Sequence, residues 1–189
     1  MINQINKNSF SLTEREELFD KILEIINAFK DEKLKREILK LLNKNKEVFL
    51  SIPAGKNSHH KYVGGLVKHS WECMEFAKVL FTVSDIDFNQ EIILAACVMH
   101  DFGKIFEYNI NLETGVIEKN KNWIQSWNSH IYWGMSWANT NEFFELAHII
   151  ASHHSVLNHS HYITSSDSKE ASMFYGINYL SVNTTKYDC

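Results

Sequence analysis

The segment Ala95-Ala96-Cys97-Val98-Met99-His100-Asp101-Phe102-Gly103-Lys104 decides how the rest of the chain is read. An apolar run from Ile92 to Met99 ends in an imidazole and a carboxylate side by side. A helix that is apolar all round lies at the centre of its bundle. His100 and Asp101 therefore emerge from the core, where an unpaired charge is costly. Imidazole is the commonest protein metal ligand, and a carboxylate neutralises a cation. A metal is the simplest partner for the pair; the alternative is a polar cluster closing a helix. Gly103 is expected to end the helix.

Outward from this step lie the other histidines. The chain has ten; eight fall between His69 and His161, and His59 and His60 sit just before them. The connection from Phe49 to Lys61 is broken by Pro53 and Gly55. Gly64-Gly65 then opens a helix with Leu66, Val67, Cys73, Phe76, Ala77 and Leu80, and His69 on or beside its apolar face. The central helix is expected to start after Asp85-Ile86-Asp87 and to run from about residue 88 to 101. Tyr108–Leu112 and Val116–Glu118 flank Glu113-Thr114-Gly115 as a short hairpin. Trp123 and Trp127 lead into a helix with His130, Ile131, Gly134, Met135 and Ala138. The aromatics there, with Tyr132, Trp133 and Trp137, either fill the core or form a stacking platform for a base. Over Phe143–His154 a further helix puts His153 on a face with Leu146, Ile149 and Ile150; His154 is turned a quarter-turn away, and His148 is structural or exposed. The polar stretch Ser155–Ser168, with His159, His161 and Tyr162, reads as a cover or a substrate contact. A last helix is expected over about Lys169–Leu180, with Ala171, Phe174, Ile177 and Asn178, before a fraying tail from Ser181.

At the N-terminus, Thr13-Glu14-Arg15-Glu16 reads as a capping box, followed by Leu18, Ile22, Ile25, Ile26 and Phe29 at helical spacing. A second helix, from about Asp31 to Asn45, carries Leu34, Ile38, Leu41 and Leu42 on one face. This pair is a packing cap on the main body or a partner surface. The expected division is an N-terminal helical pair over 1–48, one metal-binding body over 49–182, and a polar tail over 183–189.

The 189 residues are 44% hydrophobic, with one Pro and seven Gly, which suits a globular helical chain. Net charge is -4: residues 1–60 hold 11 Lys+Arg against 9 Asp+Glu, and residues 61–189 hold 8 against 14. A long duplex nucleic acid needs a basic track, so none is expected as partner; a small anionic substrate is allowed, because bound cations add positive charge. Cys73, Cys97 and Cys189 are too scattered for a zinc knuckle or a disulfide framework. No membrane-spanning run and no leader is read, so a cytoplasmic location is expected.

The polar candidates His69, His100, Asp101, His130, His153 and His154 are spread over separate helices, which is how a bundle builds a metal centre. Together, the segments His59-His60-Lys61-Tyr62-Val63-Gly64-Gly65-Leu66-Val67-Lys68-His69, Met99-His100-Asp101-Phe102-Gly103-Lys104, His130 and Ala151-Ser152-His153-His154 resemble the HD-domain metal-dependent phosphohydrolase superfamily. Within it they resemble the branch found in bacterial 3′–5′ exoribonucleases and related plasmid or relaxase-associated proteins; the terminal Glu170-Ala171 also fits. The resemblance covers about residues 50–180. It implies an all-α, single-domain helical bundle, here with a short β-hairpin insertion. His69, His100 and Asp101 would be core ligands, with His130, His153 and His154 serving a second ion. One or two divalent ions (Mn, Ni, Fe, Mg or Zn) are implied. Asp101 and Lys104 would be catalytic, Lys104 lying near the substrate phosphate, with His59, His60 and Tyr62 at the pocket mouth. Two positions depart from the family pattern: Asn178 stands where the last metal-binding Asp falls, and Ser155-Val156-Leu157 replaces the Gly and Pro after the paired histidines.

The implied activity is phosphoester hydrolysis on nucleotides or short oligonucleotides, with Glu72 a guess for an outer partner of a ligating histidine. Its rivals are a non-catalytic nucleotide-binding module, an HD-fold diiron oxygenase, and a helical interaction protein.

Overall fold

The computed structural model describes residues 11–55, 59–111, 114, 116–120, 123, 129–154 and 164–184. The fold is all-α with one small hairpin. In chain order it runs α1 (Leu12–Asn27), α2 (Glu32–Lys44), α3 (Lys46–Phe49), α4 (Gly65–Val83), α5 (Gln90–Met99), α6 (Lys104–Glu107), β1 (Tyr108–Ile110), β2 (Ile117–Lys119), α7 (Ser129–Thr140), α8 (Phe144–Ser152) and α9 (Lys169–Thr184).

The central element is α5. Ile93 and every residue from Ala95 to Met99 are sealed from solvent, because α4, α8 and α9 all pack against it. It starts slightly later than its sequence pattern indicates: Asn89 is the N-cap, its side chain accepting from Ile92 N. Glu170 of α9 accepts from Asn89 N at 3.0 Å, tying the last helix to the start of the central one.

α1 and α2 pack against each other and α1 lies on α4, burying Phe19, Ile22, Ile26, Leu34, Ile38 and Leu42. The capping box is Ser11 with Glu14, not Thr13 with Glu16. Ser11 Oγ accepts from Glu14 N at 3.2 Å, and the Glu14 carboxylate accepts from Ser11 N at 2.8 Å. The same Ser/Thr-x-x-Glu pattern occurs two residues earlier, and the helix takes the earlier start. Glu91 of α5 accepts from Lys30 N and Asp31 N, so the turn between α1 and α2 is fastened to the main body.

Beyond α5 the chain does not stop at Gly103. Residues 101–103 form a turn that passes directly into α6. Gly103 has an ordinary helical φ of -57°, so its lack of a side chain serves close approach. A Cβ there would come 2.6 Å from the His130 carbonyl oxygen. Phe102 is sealed between Phe49 and Trp133, with ring centroids 5.7 and 5.6 Å away. Phe106 stacks on Trp123 at 5.1 Å. Trp123, Trp133 and Trp137 are therefore half-buried packing groups, and the base-platform alternative loses them; Trp127 lies outside the described residues.

The hairpin pairs Tyr108 with Lys119 and Ile110 with Ile117, antiparallel. α9 continues to Thr184, one turn past the expected end, because Ser181 is buried within it. The stretch holding His159, His161 and Tyr162 lies outside the described residues.

Replacing Gly103 with Ala is expected to destabilise the protein by about 1–3 kcal/mol through overpacking, despite the better helix propensity of Ala. Urea unfolding measures it; an unchanged or raised midpoint contradicts the close approach to His130.

Candidate metal centre

Four helix ends and faces converge on Asp101. α4 supplies His69 and the end of α5 supplies His100 and Asp101; the first turn of α7 supplies His130 and the end of α8 supplies His153 and His154. His69, His100, Asp101, His130 and His153 are all at most 4% exposed.

The carboxylate of Asp101 faces two groups. Its Oδ2 lies 3.4 Å from His100 Nε2 and 3.8 Å from His69 Nε2, and those two nitrogens are 3.1 Å apart. Its Oδ1 lies 3.4 Å from His130 Nε2 and 3.8 Å from His153 Nε2. His154 joins the second group: one ring nitrogen from each of His130, His153 and His154 lies within 4.8 Å of the others.

The far sides of these rings fix the tautomers. His100 Nδ1 meets Ala96 O at 3.0 Å and His153 Nδ1 meets Ile150 O at 2.6 Å. A carbonyl only accepts, so both Nδ1 atoms carry the proton. His130 Nδ1 donates to Glu107 Oε1 at 3.1 Å, and the same oxygen accepts from His130 N at 2.8 Å. His69 Nδ1 lies 2.9 Å from Ser181 Oγ, whose hydroxyl donates to Glu72 Oε2 at 3.0 Å; the serine oxygen is thereby the acceptor for His69. In its neutral form each of these rings presents an Nε2 lone pair to Asp101. Lone pairs facing a carboxylate at 3.4–3.8 Å repel it, and a cation removes the conflict. Among the described residues, Asp101 Oδ1, His130 Nε2 and His153 Nε2 are buried without a hydrogen-bond partner. Orphaned buried groups of this kind require an account, and the donor set fits divalent metal.

Burial holds the imidazoles of His69 and His153 well below the ordinary histidine value, reinforced by neighbouring rings. Burial likewise pushes His59 and His154 down to about 3. For Asp101 burial acts upward, but Lys104, then His100, outweigh it and hold the carboxyl well below its ordinary range. Lys104 Nζ donates to Asp101 Oδ2 and to Ala54 O, both at 2.5 Å. This keeps the carboxylate ionised and fastens it to the connection before α4.

The remaining candidates are placed as follows. His60 is buried, with Nε2 on Glu72 Oε2 at 2.9 Å; His59 is half-buried, its ring 4.7 Å from that of His69. Tyr62 is half-buried, 6.0 Å from the His60 ring. His148 is half-buried on α8. Asn178 is 9% exposed, and its Oδ1 has no hydrogen-bond partner among the described residues. It lies on α9 between Phe174, whose ring is 5.0 Å from that of His100, and Ser181; helical spacing places all three on the face towards the site. Glu72, guessed as an outer partner, reaches His60 directly and His69 through Ser181. Sequence reasoning missed Glu107 and Ser181. Ser181 follows Phe174 by seven and Asn178 by three residues, a periodicity that marks the same face. Glu107 carries no local signal.

An HD-domain family model matches residues 66–177, and a second family model, TraI_2, described as "Putative helicase", matches residues 3–105. The 3'-5' exoribonuclease YhaM of Geobacillus sp. (strain WCH70) is 32% identical over 93 residues, which is 49% of this chain and 28% of that protein. No solved structure matches. Among the described residues no helix is long and apolar enough to cross a membrane.

In an unfolded chain the histidines titrate near 6.5, whereas in the fold His69, His153, His154 and His59 stay neutral to much lower pH. Below about pH 6.5 the unfolded state binds more protons, so stability falls with falling pH; Asp101 adds the same sign below its ordinary value. The melting temperature of metal-free protein should drop steadily from about pH 7 to pH 5. A flat or rising profile contradicts the buried neutral rings.

Proposed function

We propose, on the premise that the chain belongs to the HD-domain family, that it is a metal-dependent phosphohydrolase acting on nucleotides or short oligonucleotides. The supporting observation is the arrangement of four Nε2 lone pairs in two pairs around the two oxygens of Asp101. His69, His100 and Asp101 would hold one divalent ion; His130, His153, His154 and Asp101 would hold a second. Such ions, when bound, lower the pKa of water and polarise a phosphoryl oxygen.

The chain's own groups have distinct tasks. Asp101 orients the nucleophile. Lys104 holds Asp101 in its ionised form, and its remaining N–H offsets charge growing on the phosphoryl oxygens. His59 and Tyr62 contact the substrate. Burial of the site excludes bulk water, which strengthens each of these interactions. The acidic balance of residues 61–189 disfavours long polyanions. Exoribonuclease activity in a relative matched over about half of this chain favours a ribonucleotide phosphodiester. The helicase description is not carried over, because the sequence holds no Gly-x-x-x-x-Gly-Lys-Ser/Thr phosphate loop.

Asn178 supports a second reading, a binding module with a weakened metal site. Its neutral amide can coordinate but cannot neutralise charge or act as a base.

Protein loaded with Mn²⁺ is expected to hydrolyse at least one member of a panel of cyclic nucleotides, dinucleotides, nucleoside phosphates and short RNA. Asp101→Asn should lower kcat/KM by more than about 100-fold. Metal-dependent nucleotide retention without turnover, together with activity gained in Asn178→Asp, would instead establish the binding module. Oxygen uptake with iron would establish the oxygenase.

A further inference from the structure

A third group of ring nitrogens stands beside the two that flank Asp101. His59, His60 and His69 each bring one within 4.8 Å of the others. Of these His60 is the informative member. Its side chain is sealed from solvent. Its Nε2 lies 2.9 Å from the Glu72 carboxylate, which only accepts; Nε2 therefore carries a proton, and in the neutral ring Nδ1 is left with the lone pair. Among the described residues that buried Nδ1 has no hydrogen-bond partner. The tautomer is the reverse of the one imposed on His69, His100, His130 and His153.

One carboxylate sets both tautomers on this side of the site. Glu72 accepts from His60 directly and from the Ser181 hydroxyl, whose oxygen receives His69 Nδ1–H. Lys68, one turn earlier on α4, lies 3.2 Å from the other Glu72 oxygen. Although burial acts upward on Glu72, the His60 and Lys68 contacts with the Ser181 bond hold its carboxyl below the ordinary value. The ring of His60 is 5.3 Å from that of His69.

The backbone is arranged to keep His60 in place. His60 has a φ of 45°, in the left-handed region a non-glycine residue rarely adopts. Its carbonyl accepts from Ala54 N at 3.2 Å. A Cβ on Gly65 would come 1.9 Å from that same carbonyl, so only glycine lets α4 begin against it. Ala54 is also the residue whose carbonyl holds Lys104. One short connection thus registers His60 against the pair Lys104–Asp101.

We infer that His60 is a metal ligand through Nδ1, completing the ion position of His69, His100 and Asp101, with Glu72 the positioning residue that aims both His60 and His69. This rests on the metal-centre reading above. It replaces a substrate contact by His60 with direct coordination, and gives that position three imidazoles and one carboxylate. Such a nitrogen-rich set suits a transition metal over Mg²⁺ or Ca²⁺.

The test is ¹⁵N-histidine NMR of the wild-type protein titrated with Zn²⁺, alongside Zn²⁺ calorimetry of variants. Before metal, one ring, assigned by its proton contacts to Tyr62, should be the Nε2–H tautomer while His69 and His100 are Nδ1–H. On Zn²⁺ addition the His60 Nδ1 and the Nε2 of His69 and His100 should shift together. His60→Gln should weaken one Zn²⁺ site by about 10–100-fold, and Glu72→Gln by about tenfold, with the metal-free melting temperature showing that each variant folds. If the rings of His69 and His100 respond and His60 does not, this inference fails and the metal centre stands. If none responds, the metal centre itself fails. A response of His60 at a separate, third equivalent would also overturn the shared position.

Discussion

The carboxylate of Asp101 is the constraint on which the site depends. It is buried, ionised, and shared between two pairs of imidazole nitrogens, one pair to each oxygen. Burial alone would neutralise it; Lys104, held between Asp101 and the Ala54 carbonyl, prevents that. A charge placed there could not persist in an apolar bundle without such partners. The surrounding helices are accordingly arranged by their ends, and the polar groups meet where α5, α7 and α8 start or stop.

Helix ends do more than position side chains. The last carbonyls of a helix have no intrahelical partner of their own. His100 and His153 use carbonyls of the turn behind them, Ala96 and Ile150, as acceptors for Nδ1–H. The same turn that carries each imidazole to Asp101 thus selects its tautomer and directs the lone pair towards that carboxylate. Where no such carbonyl is at hand, a side chain substitutes: Glu107 for His130, and Ser181 backed by Glu72 for His69. These outer groups rank with the ligands in determining what the centre can hold.

Much of this was legible in the sequence, for identifiable reasons. The apolar run before His100 could only be a central helix, and the helical periods of α1, α2, α4 and α8 were plain. Scattered histidines each at a helix end or face carried the site. Other features depended on contacts no local pattern encodes. Gly103 looked like a helix stop, but its role is to admit the His130 backbone. The α1 cap moved two residues because Ser11 and Thr13 offer the same motif. The polar neighbours of Ser181 read as a fraying tail, while its buried hydroxyl joins two histidine-bearing elements through Glu72. Glu107 was invisible because its partner, His130, is distant in sequence.

The most direct measurement is anomalous diffraction from crystals soaked in Mn²⁺. Strong peaks are expected beside Asp101, one on the side of His69 and His100 and, where both positions fill, one on the side of His130 and His153. Crystals that take up no ion at Asp101, or that bind it only at surface carboxylates, would contradict it.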